Sequence, residues 1–257
     1  VKYIAHDLGD LDSAYIIPFS DLHLGDPLFD EDKFIGYRDW VLEEPNRYCT
    51  INGDIMNAAI PGSVSNASRE KYNVEGQFER IKEIFAPLFE QGRVLCWNDG
   101  NHEERIDRVT GGLRIGSIIC SHFHRPELYT GEGALVVAKL GKGKNGKRIA
   151  YTLYVTHGSA GGKRAGGKAN AVEDLQRIVL ADVYVEGHNH LSLAFPRAFF
   201  EPDLHNGNII KRKQVFLCGG SFLGWGGYSE RKSYPPTWSG CPRVFLSGRR
   251  KDIHCSV

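Results

Sequence analysis

No C-x-x-C pair occurs among the six cysteines, Cys49, Cys96, Cys120, Cys218, Cys241 and Cys255. That absence excludes a zinc ribbon or a thioredoxin-like redox motif. Cys49, Cys96, Cys120 and Cys218 lie in or beside apolar, strand-like runs, so they read as buried, reduced thiols of a cytosolic protein. No stretch reaches the roughly 18 consecutive apolar residues of a membrane span. The N-terminus also lacks the charged-then-apolar pattern of a signal peptide. The expected location is the cytoplasm, with no membrane partner. There is no P-loop pattern, which argues against a nucleoside triphosphatase of that class. Charge of one sign is missing too: a net charge of +1 gives no global pull toward nucleic acid. No repeat and no linker interrupts the 257 residues, so a single domain spanning 1–257 is expected.

What is present is an ordinary core-forming composition, 41% hydrophobic and 25% charged. Short apolar runs predict strands at 14–20, 48–52, 93–97, 182–186, 216–218 and 244–246. Two β-branched runs, 134–140 and 147–156, flank the basic turn Gly141-Lys142-Gly143-Lys144-Asn145-Gly146 and predict a hairpin. Helical spacing appears over 31–44, 69–91 and 170–180. In the second of these, Phe78, Ile81, Phe85, Leu88 and Phe89 form a core-facing stripe. The segment 57–68, with Pro61-Gly62, reads as a surface loop. Strand and helix alternate in the first half, and strand dominates the second. That order predicts a sheet-rich α/β sandwich with helices on its outer faces.

The polar residues fall where these strands stop. Asp21 and His23 follow one strand, Asp54 the next, and Asn101 and His102 a third. His157 follows another, and His188 with His190 the last. Ligands collect beyond the carboxyl ends of strands in α/β sheets, so five strand ends can deliver their side chains to one place. Carboxylate and imidazole suit manganese, iron, zinc, nickel or cobalt. Asp-x-His and His-x-His each place two donors on one short extended segment, and a carboxylate such as Asp54 has two oxygens with which to bridge cations.

The order Asp21-x-His23, Gly53-Asp54, Gly100-Asn101-His102-Glu103, His157, Gly187-His188-x-His190 resembles the calcineurin-like metallophosphoesterases over residues 21–190. The resemblance implies the four-layer αββα sandwich of that family, two mixed β-sheets flanked by helices. It also implies a pair of divalent ions, manganese first. Asp21, His23 and His190 would hold one ion and Asn101, His157 and His188 the other, with Asp54 bridging. His102 would face the substrate phosphate and stabilise or protonate the leaving oxygen. The implied reaction is phosphoester hydrolysis by metal-activated water, with phosphodiesters of nucleotides or nucleic acid ahead of phosphomonoesters or phosphoproteins. A scaffold that keeps the fold without the chemistry is the alternative of another class, and an intact His102 with all seven ligands argues against it. Thr156-His157-Gly158, Gly161-Gly162, Gly166-Gly167-Lys168-x-Asn170 and Gly220-Ser221-Phe222-Leu223 resemble bacteriophage and prophage members, which would place the protein in a bacterial cytoplasm.

One position departs from the family pattern. Many members carry an Asp that orients the catalytic histidine, and Asn57 stands there in this chain. Its amide can accept a hydrogen bond from the ring but cannot stabilise imidazolium by charge, so His102 would be a poorer acid unless Asp99 or Glu103 helps. The glycine-rich loop 158–168 brings Lys163, Arg164 and Lys168 close to His157, where glycine N–H groups and cations can meet phosphate. Trp225, Tyr228, Tyr234 and Trp238 could stack bases, but core or rim packing is the simpler expectation. The basic groups around 142–148, 211–213 and 249–251 read as solvated turns.

Overall fold

Strands buried on both faces should read as unbroken apolar runs, and that is where the interior of this protein lies. The computed structural model describes residues 1–257 except 61, 62, 64, 144, 145, 160 and 161. The expected Pro61-Gly62 turn, the Lys144-Asn145 tip and Gly161 therefore lie outside the described residues. In chain order the elements are β1 (Lys2–Asp7), β2 (Ser13–Phe19), α1 (Glu31–Glu43), β3 (Arg47–Asn52), α2 (Val74–Glu90), β4 (Val94–Asn98), α3 (Asn101–Thr110), α4 (Ile115–His122), β5 (Tyr129–Gly131) and β6 (Gly133–Leu140). They continue with β7 (Ile149–Thr156), α5 (Ala165–Asp174), β8 (Val183–Glu186), β9 (Ser192–Asp203), β10 (Asn208–Gly219), α6 (Gly227–Arg231), β11 (Arg243–Ser247) and β12 (Ile253–Ser256).

The strands form two mixed six-stranded sheets, ordered β1-β6-β7-β8-β10-β9 and β12-β11-β2-β3-β4-β5. β2, β3, β4 and β5 run parallel, as do β7, β8 and β10. Between the sheets lies a core of small and branched side chains, including Ile16, Leu95, Val136, Leu153, Val185 and Leu217. A second, more aromatic core packs Phe34 of α1 and Ile81 and Phe85 of α2 against Phe19, Ile51 and Trp97. A smaller one sets Val172 of α5 against Tyr154, Tyr184 and Phe216. The fold is α/β with helices against the outer faces of two sheets, an arrangement compatible with the expected sandwich.

The β6–β7 hairpin forms with the antiparallel register expected. Two helical expectations shift. α2 starts at Val74, where the Asn73 side chain caps the Gly76 N–H at 2.8 Å. α5 begins at Ala165, inside the segment read as a glycine-rich loop, and ends at Asp174. α3 and α4 were not anticipated, although Gly111 in the left-handed conformation (φ 70°) is an ordinary helix stop that could have signalled α3. All six cysteines are free, and only Cys255 is not buried. The basic groups are largely spent on ion pairs, among them Lys142–Asp10 (2.7 Å), Arg148–Asp7 (3.1 Å) and Arg249–Asp12 (2.7 Å). Among the described residues no helix is long and apolar enough to cross a membrane.

Candidate metal centre

Five strand ends converge, three from one sheet and two from the other. β2, β3 and β4 deliver Asp21 and His23, Asp54, and Asn101 with His102; β7 and β8 deliver His157 and His188 with His190. The chain leaves these strands abruptly. Asp21 (φ 54°), His23 (φ 50°), Asp54 (φ 52°), His188 (φ 64°) and His190 (φ 51°) all occupy the left-handed region, which is sparsely populated by residues other than glycine. The expectation that Asp-x-His and His-x-His lie on extended segments is thus corrected: each donor sits in a left-handed turn. Strained backbone of this kind persists only where its surroundings hold it in place. Gly53 is one such surrounding. At φ 86°, a Cβ there would lie 2.6 Å from the Gly100 backbone nitrogen, so the β3 and β4 loops touch only because both residues are glycine.

The result, among the described residues, is three overlapping groups able to hold metal ions: Asp21, His23 and His190; Asp54, His157 and His188; and His23, Asp54 and His102. Asp54 Oδ2 lies 3.3 Å from His157 Nε2 and 3.9 Å from His23 Nε2, so one carboxylate oxygen faces both sides of the cluster. Asn101 joins through its side-chain oxygen, 3.1 Å from His157 Nε2. His23 Nε2 and His190 Nε2 stand 3.1 Å apart, and His190 Nε2 is 3.2 Å from Asp21 Oδ1. All seven expected ligands therefore meet.

Each carboxylate is held by one oxygen and presents the other. Asp21 Oδ2 accepts from the His188 N–H at 2.9 Å and from Ser20, whereas its Oδ1 is buried with no backbone or hydroxyl donor and faces only the ring nitrogens of His190 and His23. Asp54 Oδ1 accepts from the His102 N–H at 2.9 Å, leaving Oδ2 to the imidazoles. His157 Nδ1 donates to the Asn52 carbonyl at 2.8 Å, which fixes the tautomer with Nε2 turned inward. An orphaned carboxylate oxygen among inward-facing ring nitrogens fits divalent cations with nitrogen and oxygen ligands.

Charge follows the same plan. Burial opposes ionisation of Asp54, yet the rings of His157, His102 and His23 hold its carboxyl well below the usual carboxylate range. Burial drives His23 well below its ordinary 6.5, helped by His102, so that ring is ready to ligate. His157 differs: burial would lower it, but the Asp54 carboxylate overrides this and pushes it up to about 10. This raised group stabilises the metal-free fold fully below pH 6.5 and stops doing so as pH rises through about 10. A cation at His157 must displace that proton, so metal affinity should climb with pH by up to about tenfold per unit over that window. Calorimetric titration with Mn²⁺ in two buffers of different ionisation enthalpy measures the released proton; identical heats would contradict it.

His102 is held as expected but not by the expected group. Its Nδ1 lies 2.6 Å from the backbone carbonyl of Asn57. The Asn57 side chain turns away and donates to Glu70 at 2.7 Å. The orienting acceptor is thus a main-chain oxygen, for which the residue at 57 need not be Asp. Arg105, one helical turn on, places Nη2 2.9 Å from His102 Nε2. Burial lowers the His102 pKa, Asp54 opposes this, and Arg105 adds to the lowering. A guanidinium on Nε2 disfavours a cation there and sets His102 apart from the other side chains of the cluster. Glu103 does not help His102; it accepts from the N–H groups of Asp54 (3.0 Å), Met56 (2.9 Å) and Gly100 (2.8 Å) and ties the loops together. Asp99 accepts from the Gly116 N–H and the Tyr129 hydroxyl, a structural role. Glu103→Ala would orphan three buried donors, at about 1 kcal/mol or more each. Thermal melting should fall by about 6 °C or more, and an unchanged melting temperature would count against this clamp.

The remaining expectations divide. Lys168 is not a free loop cation: it lies in α5, buried, with its ammonium donating to the Asn189 carbonyl between the two histidines that follow β8. Burial accordingly lowers its pKa. Lys163 and Arg164 are exposed and do not line the cavity above the cluster, although Gly162 and Lys168 do. Three arginines that the sequence reading missed, Arg69, Arg105 and Arg231, do line it. Trp225, Tyr228 and Tyr234 also stand on its wall, which places them at the rim, the second of the two packing expectations, and not in the core. Trp238 is 85% exposed.

No protein-family model matches the chain, and no curated protein matches it either.

Proposed function

We propose that this protein is a binuclear metal-dependent phosphoester hydrolase of the metallophosphoesterase type, acting on phosphodiesters of nucleotides or nucleic acid. The observation that carries the reading is Asp54 Oδ2, set between His23 Nε2 on one side and His157 Nε2 on the other. Asp21, His23 and His190 would hold one divalent ion, Asn101, His157 and His188 the second, and Asp54 both. Bound ions would supply positive charge and an activated water at neutral pH. The chain itself supplies position. Ser20, the His188 N–H and the His102 N–H fix the carboxylates, and the Asn52 carbonyl fixes His157. The Asn57 carbonyl holds the Nδ1–H of His102, directing Nε2 into the cavity beside Asp54. A phosphate arriving there would draw Arg105 from Nε2 onto its own oxygens. The freed Nε2 would take up a proton from solvent in place of the Arg105 hydrogen bond and then give it to the leaving oxygen.

The test is metal analysis of protein purified without chelator, followed by hydrolysis of bis-p-nitrophenyl phosphate and p-nitrophenyl phosphate under Mn²⁺, Ni²⁺, Zn²⁺ and Mg²⁺. The expected result is two equivalents of metal and faster diester cleavage. No retained metal and no cleavage of either ester would sink the reading.

A further inference from the structure

The candidate ligand cluster shares a cavity of about 980 Å³ with several aromatic side chains. These aromatic residues belong to the segment after β10, stitched to the loop after β2 by the Gly224 N–H donating to the Leu28 carbonyl at 2.8 Å. Trp225 Nε1 donates to the Tyr234 carbonyl at 2.8 Å, which fixes the indole by its edge and leaves it 47% exposed. Tyr228, 45% exposed, lies 6.3 Å from Tyr234 with the rings inclined by 32°. Large aromatic rings held in place and left uncovered beside a polar site are unusual unless something stacks on them. Ser65, Asn66 and Thr237 add hydrogen-bonding groups to the lining, and Arg69 and Arg231 add positive charge.

We propose that this wall is a nucleobase subsite: an unpaired base stacks on Trp225 and Tyr228 while the phosphate of the same nucleotide reaches the metal cluster. The inference deepens the hydrolase reading and rests on it for the position of the phosphate. A base offers a flat π face and a hydrogen-bonding edge, matching rings bordered by serine, asparagine and threonine. An acyl chain would want a dry apolar channel, whereas these rings are half-exposed and stand among arginines. Stacking requires a free face, so the substrate is single-stranded or a small nucleotide rather than duplex.

The experiment compares AMP with methyl phosphate on Mn²⁺-loaded protein, and titrates adenosine into metal-free protein, by calorimetry. AMP should bind about 10- to 100-fold more tightly than methyl phosphate, the range expected for one stacked base. Adenosine alone should bind saturably. Trp225→Ala should erase the AMP advantage, Tyr228→Ala reduce it, and Trp225→Phe keep most of it, with circular dichroism confirming that each variant is folded. Equal affinity for AMP and methyl phosphate would overturn the proposal, as would an advantage that survives both alanine variants. A larger Trp225-dependent gain for a phosphotyrosine peptide than for AMP would overturn it in favour of a protein substrate. The adenosine titration needs neither metal nor catalysis, so it reads the base subsite even if hydrolysis fails.

Discussion

Asp54→Ala is expected to abolish hydrolysis and strip the centre of metal together. Asp54 belongs to two of the three ligand groups, and its Oδ2 faces His23 on one side and His157 on the other. Removing it leaves two sets of neutral imidazoles with Asp21 as the only remaining carboxylate among the ligands. Metal charge is worth several kcal/mol to a phosphoryl transition state, and each 1.36 kcal/mol is a factor of ten. A fall of about three orders of magnitude or more in kcat/KM follows, with metal content dropping from two equivalents toward one or none. Asp54→Asn is the sharper control. It keeps an oxygen for the His102 N–H, bonded at 2.9 Å, but removes the charge. It should lose nearly as much activity while melting close to the parent. Full metal and full hydrolysis in either variant would end the two-ion proposal.

His102→Ala should separate proton transfer from metal binding. A positioned general acid contributes about 10²- to 10⁴-fold, so kcat on an alkyl diester, whose leaving alkoxide needs a proton, should fall by that amount. The p-nitrophenyl diester leaves as a stable phenolate and should lose far less. Metal content should stay at the parent level, because Arg105 rather than a cation sits on His102 Nε2. The same variant tests the competing geometry in which His23, Asp54 and His102 form a metal triad. Metal lost along with activity would make His102 a ligand and remove it from acid catalysis.

The parts legible from sequence were those governed by short stretches. β3 and β4 are buried along their whole length except at the first residue of β3, so each reads as an apolar run that stops at Asn52 or Asn98. The ligands sit just past such stops, which is why Asp54, Asn101 and His157 could be named without coordinates. α5 was misplaced because its first turn is Ala165-Gly166-Gly167, residues that argue for a loop, and its single fully buried apolar residue is Val172. Packing of that residue against Phe216 and Tyr184 overrode local preference. Lys168 was misjudged for the same reason. Whether a lysine on a weakly patterned helix meets solvent or a buried carbonyl depends on what lies over it, and here Asn189 does.

Sequence alone determined the set of donors, their order and their attachment to strand ends, because burial of a parallel strand and the chemistry of imidazole and carboxylate are both local properties. Tertiary structure alone decided how those donors are used. It set which oxygen of Asp21 is tied and which is bare, and it gave His102 the Asn57 carbonyl in place of a side chain. It also turned three aromatic residues outward along the cavity wall. Such choices arise where segments distant in the chain touch, as when Ser221 donates to the Asp21 carbonyl across 200 residues. No stretch of sequence encodes a contact whose two halves come together only after both sheets have packed.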